Sequence, residues 1–262
     1  MNIDRIRTIL DKEWAEVFKN RMVIFTVIFM PLIFTILPIV VLAVLGSSAG
    51  GDSTDMPASF AAVCAGAPAS DCMKIYLVNQ FLLLYMIMPM SIPIAIAAYS
   101  VVGEKTTRSL EPLLATPITT VELLLGKGLA ATLPAVAATW LCFGVFVLSL
   151  FPLGVSAGVL AYILGPTWVT AIFLVGPLMA VMAVNAALIV SSRVSDPRAA
   201  EQISMVVIVP ILGVMFGQIG GLFVINAQFV WISALVLLVL ELGLVYFGAR
   251  LFRRETILTQ WR

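Results

Sequence analysis

The sequence predicts an all-α integral membrane protein with about six transmembrane helices. Three observations lead there. Of 262 residues, 61% are hydrophobic and only 11% are charged, whereas ordinary soluble domains carry about a quarter charged residues. Uncharged runs long enough to cross a hydrocarbon core of about 30 Å recur along the chain. Between them no stretch is long enough to bury a core of its own, so residues 1–262 form a single membrane domain.

Residues 1–21 carry Ile3, Ile6, Leu10, Trp14, Val17 and Phe18 at helical spacing, with charges between them. This is the pattern of an amphipathic helix lying in the membrane interface. Acidic Asp4, Asp11, Glu13 and Glu16 occupy what would be the basic region of a cleaved signal peptide, so the first apolar run is expected to stay as an anchor. Spans are predicted at about 22–45, 81–102, 128–151, 167–190, 203–225 and 229–249. Pro31 and Pro38 predict kinks in the first. Residues 46–78 are small and polar and read as a loop. The uncharged stretch from Gly128 to Ser192 fits two crossings, divided between Pro152 and Pro166 by Gly154, Gly158 and Gly165. Further on, Gly220 and Gly221 with Asn226 and Gln228 mark a tight turn or a re-entrant bend between spans five and six.

Charge fixes the expected orientation. With six spans, fourteen of the 15 Lys and Arg share one side and Lys74 stands alone on the other. The rich side is then cytoplasmic and holds both termini.

The chain contains no histidine, which removes the usual general base and the commonest transition-metal ligand. Cys64, Cys72 and Cys142 show no CxxC spacing, so no metal site is expected. Cys64 and Cys72 fall in the predicted outer loop, where they can close a small disulfide ring or remain thiols. The phosphate-binding pattern GxxxxGK[ST] is absent: Gly126-Lys127 is followed by Gly128, and Val121 stands where the first glycine should be. ATP hydrolysis is therefore not expected of this chain, and no nucleic-acid partner is expected either.

Within the spans, Glu241 is the one charged residue set deep in an apolar run. Such a carboxylate should face the bundle interior, either as a polar element of a substrate path or as a structural hydrogen bond to a neighbour such as Asn185. Gly213, Gly217 and Gly221 recur every four residues, stripping one helix face for close approach by another helix of the same subunit or of a second copy.

The segment Val101 to Ala131, VVGEKTTRSLEPLLATPITTVELLLGKGLAA, alternates short apolar patches with charges. It resembles the cytoplasmic loop after the second span of ATP-binding-cassette (ABC) type-2 permeases, through Glu104, Arg108, Leu110, Glu111, Leu113, Leu114, Pro117, Glu122, Gly126 and Lys127. The arginine is displaced from where many of that family carry basic residues. SSRVSDPRAAEQIS before span five and LFRRETILTQWR at the end resemble the family's corresponding segments.

The resemblance implies an export permease in the cytoplasmic (inner) membrane of a prokaryote. It implies a homodimer or heterodimer with a second permease copy, and separate nucleotide-binding ATPase subunits that hold ATP and Mg. It also implies a re-entrant hairpin between spans five and six, and spans one and five at the dimer interface. Loop 103–127 becomes the coupling loop, with Glu104, Arg108, Leu110, Glu111, Leu113, Leu114 and Pro117 meeting the ATPase. On pattern alone the same loop can be an interfacial cover for the bundle's mouth. The cargo class stays open among amphipathic, lipid-like, drug-like and ionic compounds. Two rivals would look different: an ion-coupled secondary transporter should carry intramembrane carboxylate pairs and an inverted repeat, and a membrane enzyme should carry clustered intramembrane His, Asp or Ser.

Overall fold

The computed structural model describes residues 3–17, 19–47, 60, 64, 68–106 and 119–251. Among these residues every regular element is helical. Six helical stretches are long and apolar enough to cross a membrane: 23–44, 71–105, 121–150, 157–193, 197–219 and 227–246.

Helix α1 (Ile3–Val17) buries Ile9, Glu13 and Val17. These positions lie four apart on one stripe, rotated from the stripe that the apolar spacing predicted; Ile3 is 76% exposed. Helix α2 (Arg21–Ser47) is assigned as continuous through Pro31 and Pro38. Inside it, the Thr35 hydroxyl lies 2.7 Å from the Pro31 carbonyl and 2.8 Å from the Tyr85 hydroxyl.

The second crossing consists of two helices, α3 (Ala69–Tyr85) and α4 (Met88–Thr106). The break has a cause in the sequence. Pro89 has no N–H to give and its ring crowds the preceding turn; the chain tightens to Met86 N–H on Leu83 O and Ile87 N–H on Leu84 O, each at 3.0 Å, and then restarts. Helix α3 begins about three turns before the predicted span, because Asp71 and Lys74 look like loop residues yet sit in its first turns.

Helix α5 (Thr120–Leu150) also starts before the predicted span. Thr119 caps it: the Glu122 N–H donates to the Thr119 hydroxyl at 3.2 Å, and the Thr119 N–H donates to the Glu122 carboxylate at 3.0 Å. This is a capping box, which satisfies two otherwise orphaned donors. Gly154, at φ 63°, turns the chain after α5. The fourth crossing is composite: α6 (Ala157–Ile163), α7 (Pro166–Thr170), a π-helical turn at Ala171–Val175, and α8 (Gly176–Arg193).

The fifth crossing is α9 (Pro197–Ser204), a 3-10 turn at Met205–Ile208, and α10 (Val209–Ile219). Pro210 explains the 3-10 turn, since it cannot bond back to Val206 and the ladder tightens there. Helix α10 ends on Gly221 at φ 71°. The Leu222 N–H reaches the Gly217 carbonyl at 2.9 Å, and the Gly221 N–H reaches the Gln218 carbonyl at 3.0 Å. This glycine C-cap closes the helix at Ile219, six residues earlier than the predicted limit. After it, Asn226 caps α11 (Ala227–Leu251) by accepting the Phe229 N–H at 2.8 Å.

Spans two and four form the centre of the bundle. Ala95, Ala97 and Ala98 of α4 and Ala180, Ala183 and Ala187 of α8 are buried, and these two helices make the most extensive pair in the structure. Small side chains let their backbones approach closely, which is how helices bind each other where solvent gives no hydrophobic drive. Helices α2, α10 and α11 lie outside and turn Phe25, Phe29, Phe216, Trp231 and Leu235 outward. Cys64 and Cys72 are joined by a disulfide, with Cα atoms 5.4 Å apart.

Candidate functional site

The densest chemistry lies where α1 crosses the ends of α4 and α5. Lys127, in the second turn of α5, is 5% exposed, and its ammonium has three partners. They are the carboxylates of Glu13 at 2.7 Å and Glu104 at 2.8 Å, and the Ser100 hydroxyl at 2.8 Å. Ser100 in turn donates to the other Glu13 oxygen. Lys12 closes the cluster from the rim, paired with Glu104, with Glu13 at 3.4 Å and with Glu16 at 3.5 Å. The Lys127 ammonium thus donates to Glu13 and Ser100 and is paired in charge with Glu104, and such pairing is the condition for tolerating charge out of water.

Electrostatics follow the geometry. Burial pushes the Glu13 carboxyl upward, but the Lys127 ammonium beside it, helped by Ser100 and Lys12, holds it below its ordinary 4.5. Lys12 shows the same balance with opposite sign. Burial lowers it, and the hydrogen bond and charge of Glu104 outweigh that, so its ammonium titrates above the usual lysine range.

Three further contacts tie α1 down. The Trp14 indole donates to the Ala130 carbonyl at 3.0 Å. Arg5 stands 3.6 Å from the buried Glu122 carboxylate. Gly126 leaves room for Ile9: a Cβ there would lie 2.6 Å from Ile9 Cγ2. Nearby, Lys105 donates to the Val194 carbonyl at 3.4 Å, linking the end of α4 to the turn after α8. The cluster therefore joins α1 to both helices that flank segment 107–118. A cleft of about 340 Å³ opens beside it, lined by Glu16, Asn20, Tyr99 and Gly103 among others.

Of the residues expected to couple to an ATPase, Glu104 is 3% exposed and turned into this cluster. Arg108, Leu110, Glu111, Leu113, Leu114 and Pro117 lie outside the described residues. Of the other motif residues, Gly126 and Lys127 hold α1 through a gap and an ion pair, while Glu122 caps α5 and meets α1 through Arg5.

Glu241 is half-buried on α11, and Asn185 is half-buried on α8. These helices pack together, yet neither side chain forms a hydrogen bond among the described residues. The glycine stripe divides into three different roles. Gly213 has nothing within 4 Å of where a Cβ would stand, a Cβ at Gly217 would stand 2.8 Å from the Phe223 ring of its own chain, and Gly221 is the left-handed cap beyond the helix end.

Sequence reasoning missed a second polar group inside the membrane region. Gln218 donates to the Asn79 carbonyl oxygen, and the Asn79 amide donates to the Tyr162 hydroxyl. Asn79 is fully buried and Gln218 is 2% exposed, so this chain binds α10, α3 and α6 where water offers no alternative partner. For the ionic cluster there was a signal. Ile9, Glu13 and Val17 share one stripe, and a carboxylate in the middle of an apolar stripe calls for a buried cation.

Six apolar helices around a packed alanine seam define a multi-pass membrane protein. The family model described as ABC-2 family transporter protein matches residues 7–241, from within α1 to within α11. The chain belongs to that family, and is thus a transmembrane component of an ABC transporter that works with an ATPase subunit. No curated protein gives a significant match.

Proposed function

We propose that this chain is the permease of an ATP-driven exporter in the cytoplasmic membrane of a prokaryote. Two copies, or one copy and a close relative, enclose the path, and ATP with Mg is bound and hydrolysed on partner subunits. The observation that carries the reading is the Lys127 cluster. It fastens the interfacial helix and the ends of spans two and three into one block on either side of segment 107–118. A push on that segment by a closing ATPase would move the block as a rigid body and reach both spans directly. The apolar spans favour amphipathic, lipid-like or drug-like cargo, with ionic cargo the less supported choice.

The test is to reconstitute wild type, Glu111→Arg and Leu114→Asp with the partner ATPase and measure complex formation, ATP hydrolysis and transport together. Each change should weaken docking by about 2–5 kcal/mol, with insertion in the membrane unaffected. Wild-type values for all three readouts would remove the coupling role.

Orientation is testable separately. Cytoplasmic termini require a cysteine at Ser156 to react with an impermeant thiol reagent from outside sealed cells, and a cysteine at Thr107 to stay protected until the cells are opened. Labelling at Thr107 in sealed cells would reverse the assignment.

A further inference from the structure

Spans five and six rest on different neighbours, α10 on α3 and α11 on α8. Between them lies a cavity of about 490 Å³, within the range of about 300–1,000 Å³ typical of small-molecule sites. Met86, Trp168 and Met182 line its inner side, while Val214 of α10 and Val236 of α11 form its walls.

The lining decides what can enter. Besides the Trp168 indole, Ser233 is the only lining side chain with a polar hydrogen, and its hydroxyl is taken up by the Val230 carbonyl at 2.8 Å. A polar guest would leave its own groups unpaired, and water is disfavoured for the same reason. Four methionines contribute to the wall, Met86, Met90, Met179 and Met182. Their unbranched, polarisable side chains adapt to a guest of variable shape.

Shape and access point the same way. Along α11 the lining runs from Phe229 to Leu240, roughly 16 Å at about 1.5 Å per residue and so more than half of a hydrocarbon core of about 30 Å. The slot starts near Ile225, at the end of the bundle opposite α1, and follows the spans inward. Ile232, Val236 and Leu240 line it and are also 62%, 51% and 52% exposed. The cavity is thus continuous with the outward apolar face of α11, the surface that meets lipid.

We infer that this cleft holds one hydrocarbon chain of a bilayer lipid, taken from the leaflet at the end opposite α1. The chain enters sideways past α11 and lies along the spans, while its headgroup stays at the membrane surface because the cleft has no charged side chain and, the deeply buried Trp168 indole apart, no uncommitted polar hydrogen to bind it. Occupancy does not depend on the ATPase, so this inference stands or falls separately from the coupling reading.

The test uses the full chain in phosphatidylcholine nanodiscs doped with a phosphatidylcholine that carries a diazirine midway along one acyl chain. After illumination, peptide mass spectrometry locates the label. Met86, Met90 and Met182 are 4%, 1% and 8% exposed, beyond the reach of lipid that only bathes the surface, so label on them is the expected result. Val214→Trp and Met179→Trp fill the cleft. Each should lower that label by about tenfold, the factor that corresponds to about 1.4 kcal/mol, and leave label on outward Phe29 unchanged. Phe216→Trp, on the outward face of α10, should change neither. Wild-type label confined to outward residues such as Phe29 and Leu235 would overturn the inference, as would undiminished Met86 and Met182 label in both filled variants.

Discussion

Lys127→Met is expected to destabilise the folded permease by about 3–5 kcal/mol, the cost of breaking a buried ion pair by removing one partner. Methionine matches the lysine stem in length, so packing is largely kept while the charge is lost. Glu104 still has Lys12. Glu13 does not fare as well: it is 2% exposed and keeps only Lys12 at 3.4 Å and the Ser100 hydroxyl. The double variant Lys127→Met with Glu13→Gln removes the stranded charge and should recover much of the loss. Thermal unfolding of the three proteins in the same lipid mixture measures this. A melting temperature unchanged by Lys127→Met would show that the cluster contributes nothing net.

The pH dependence should change sign between the two proteins. In wild type the folded pKa of Glu13 lies below its ordinary 4.5. The stability it contributes is therefore present above that ordinary value and is lost as pH falls through the folded one. In Lys127→Met the two largest lowering causes are lost, and burial, the largest cause of all, is opposed only by Ser100 and the more distant Lys12, so the folded pKa should rise instead. Protonation then favours the folded state, so the variant should gain stability between about pH 7 and about pH 5. Wild type should be flat over the same interval.

The fold class was legible because an uncharged run of membrane length has few other uses, and the family was legible in the motif around Glu104 to Lys127. Helix starts were less legible for one physical reason. Asp71 and Glu122 sit in first turns and Lys74 in a second, where charge is compatible with a helix, while a hydropathy reading takes charge as loop. The T-x-x-E of Thr119 to Glu122 did announce the start of α5. Gly220 and Gly221 marked a turn in the sequence, but the uncharged run continues through them, so only the left-handed backbone of Gly221 fixes the end of α10 at Ile219. The Asn79 and Gln218 pair was not legible at all, since amides 139 residues apart give no local sign of each other.

Gly126→Leu should separate the interfacial helix from span three. A Cβ at this position would stand 2.6 Å from Ile9 Cγ2 and 2.9 Å from Ile9 Cβ. The second atom is the branch point of a β-branched side chain, and Ile9 is 4% exposed with no free space to turn into. Relief must come from moving α1 as a whole, at a cost of about 1–3 kcal/mol for the first added carbons and more for a full leucine. The neighbouring Lys127 reaches Glu13 at 2.7 Å, so a small displacement of α1 also stretches that ion pair and lets water in. A double-mutant cycle isolates the contact. Ile9→Ala alone leaves a cavity and should cost about 2–5 kcal/mol, yet in a Gly126→Ala background it removes the closer contact, the 2.6 Å one with Cγ2, and leaves the 2.9 Å one with Cβ, so the two losses should fall short of adding. Strict additivity in melting experiments would mean that Ile9 and Gly126 do not meet. If α1 belongs to the block that receives the ATPase's push, Gly126→Leu should also lower transport per ATP hydrolysed at temperatures where the protein is fully folded. A variant that is merely less stable would keep that ratio and lose only active protein.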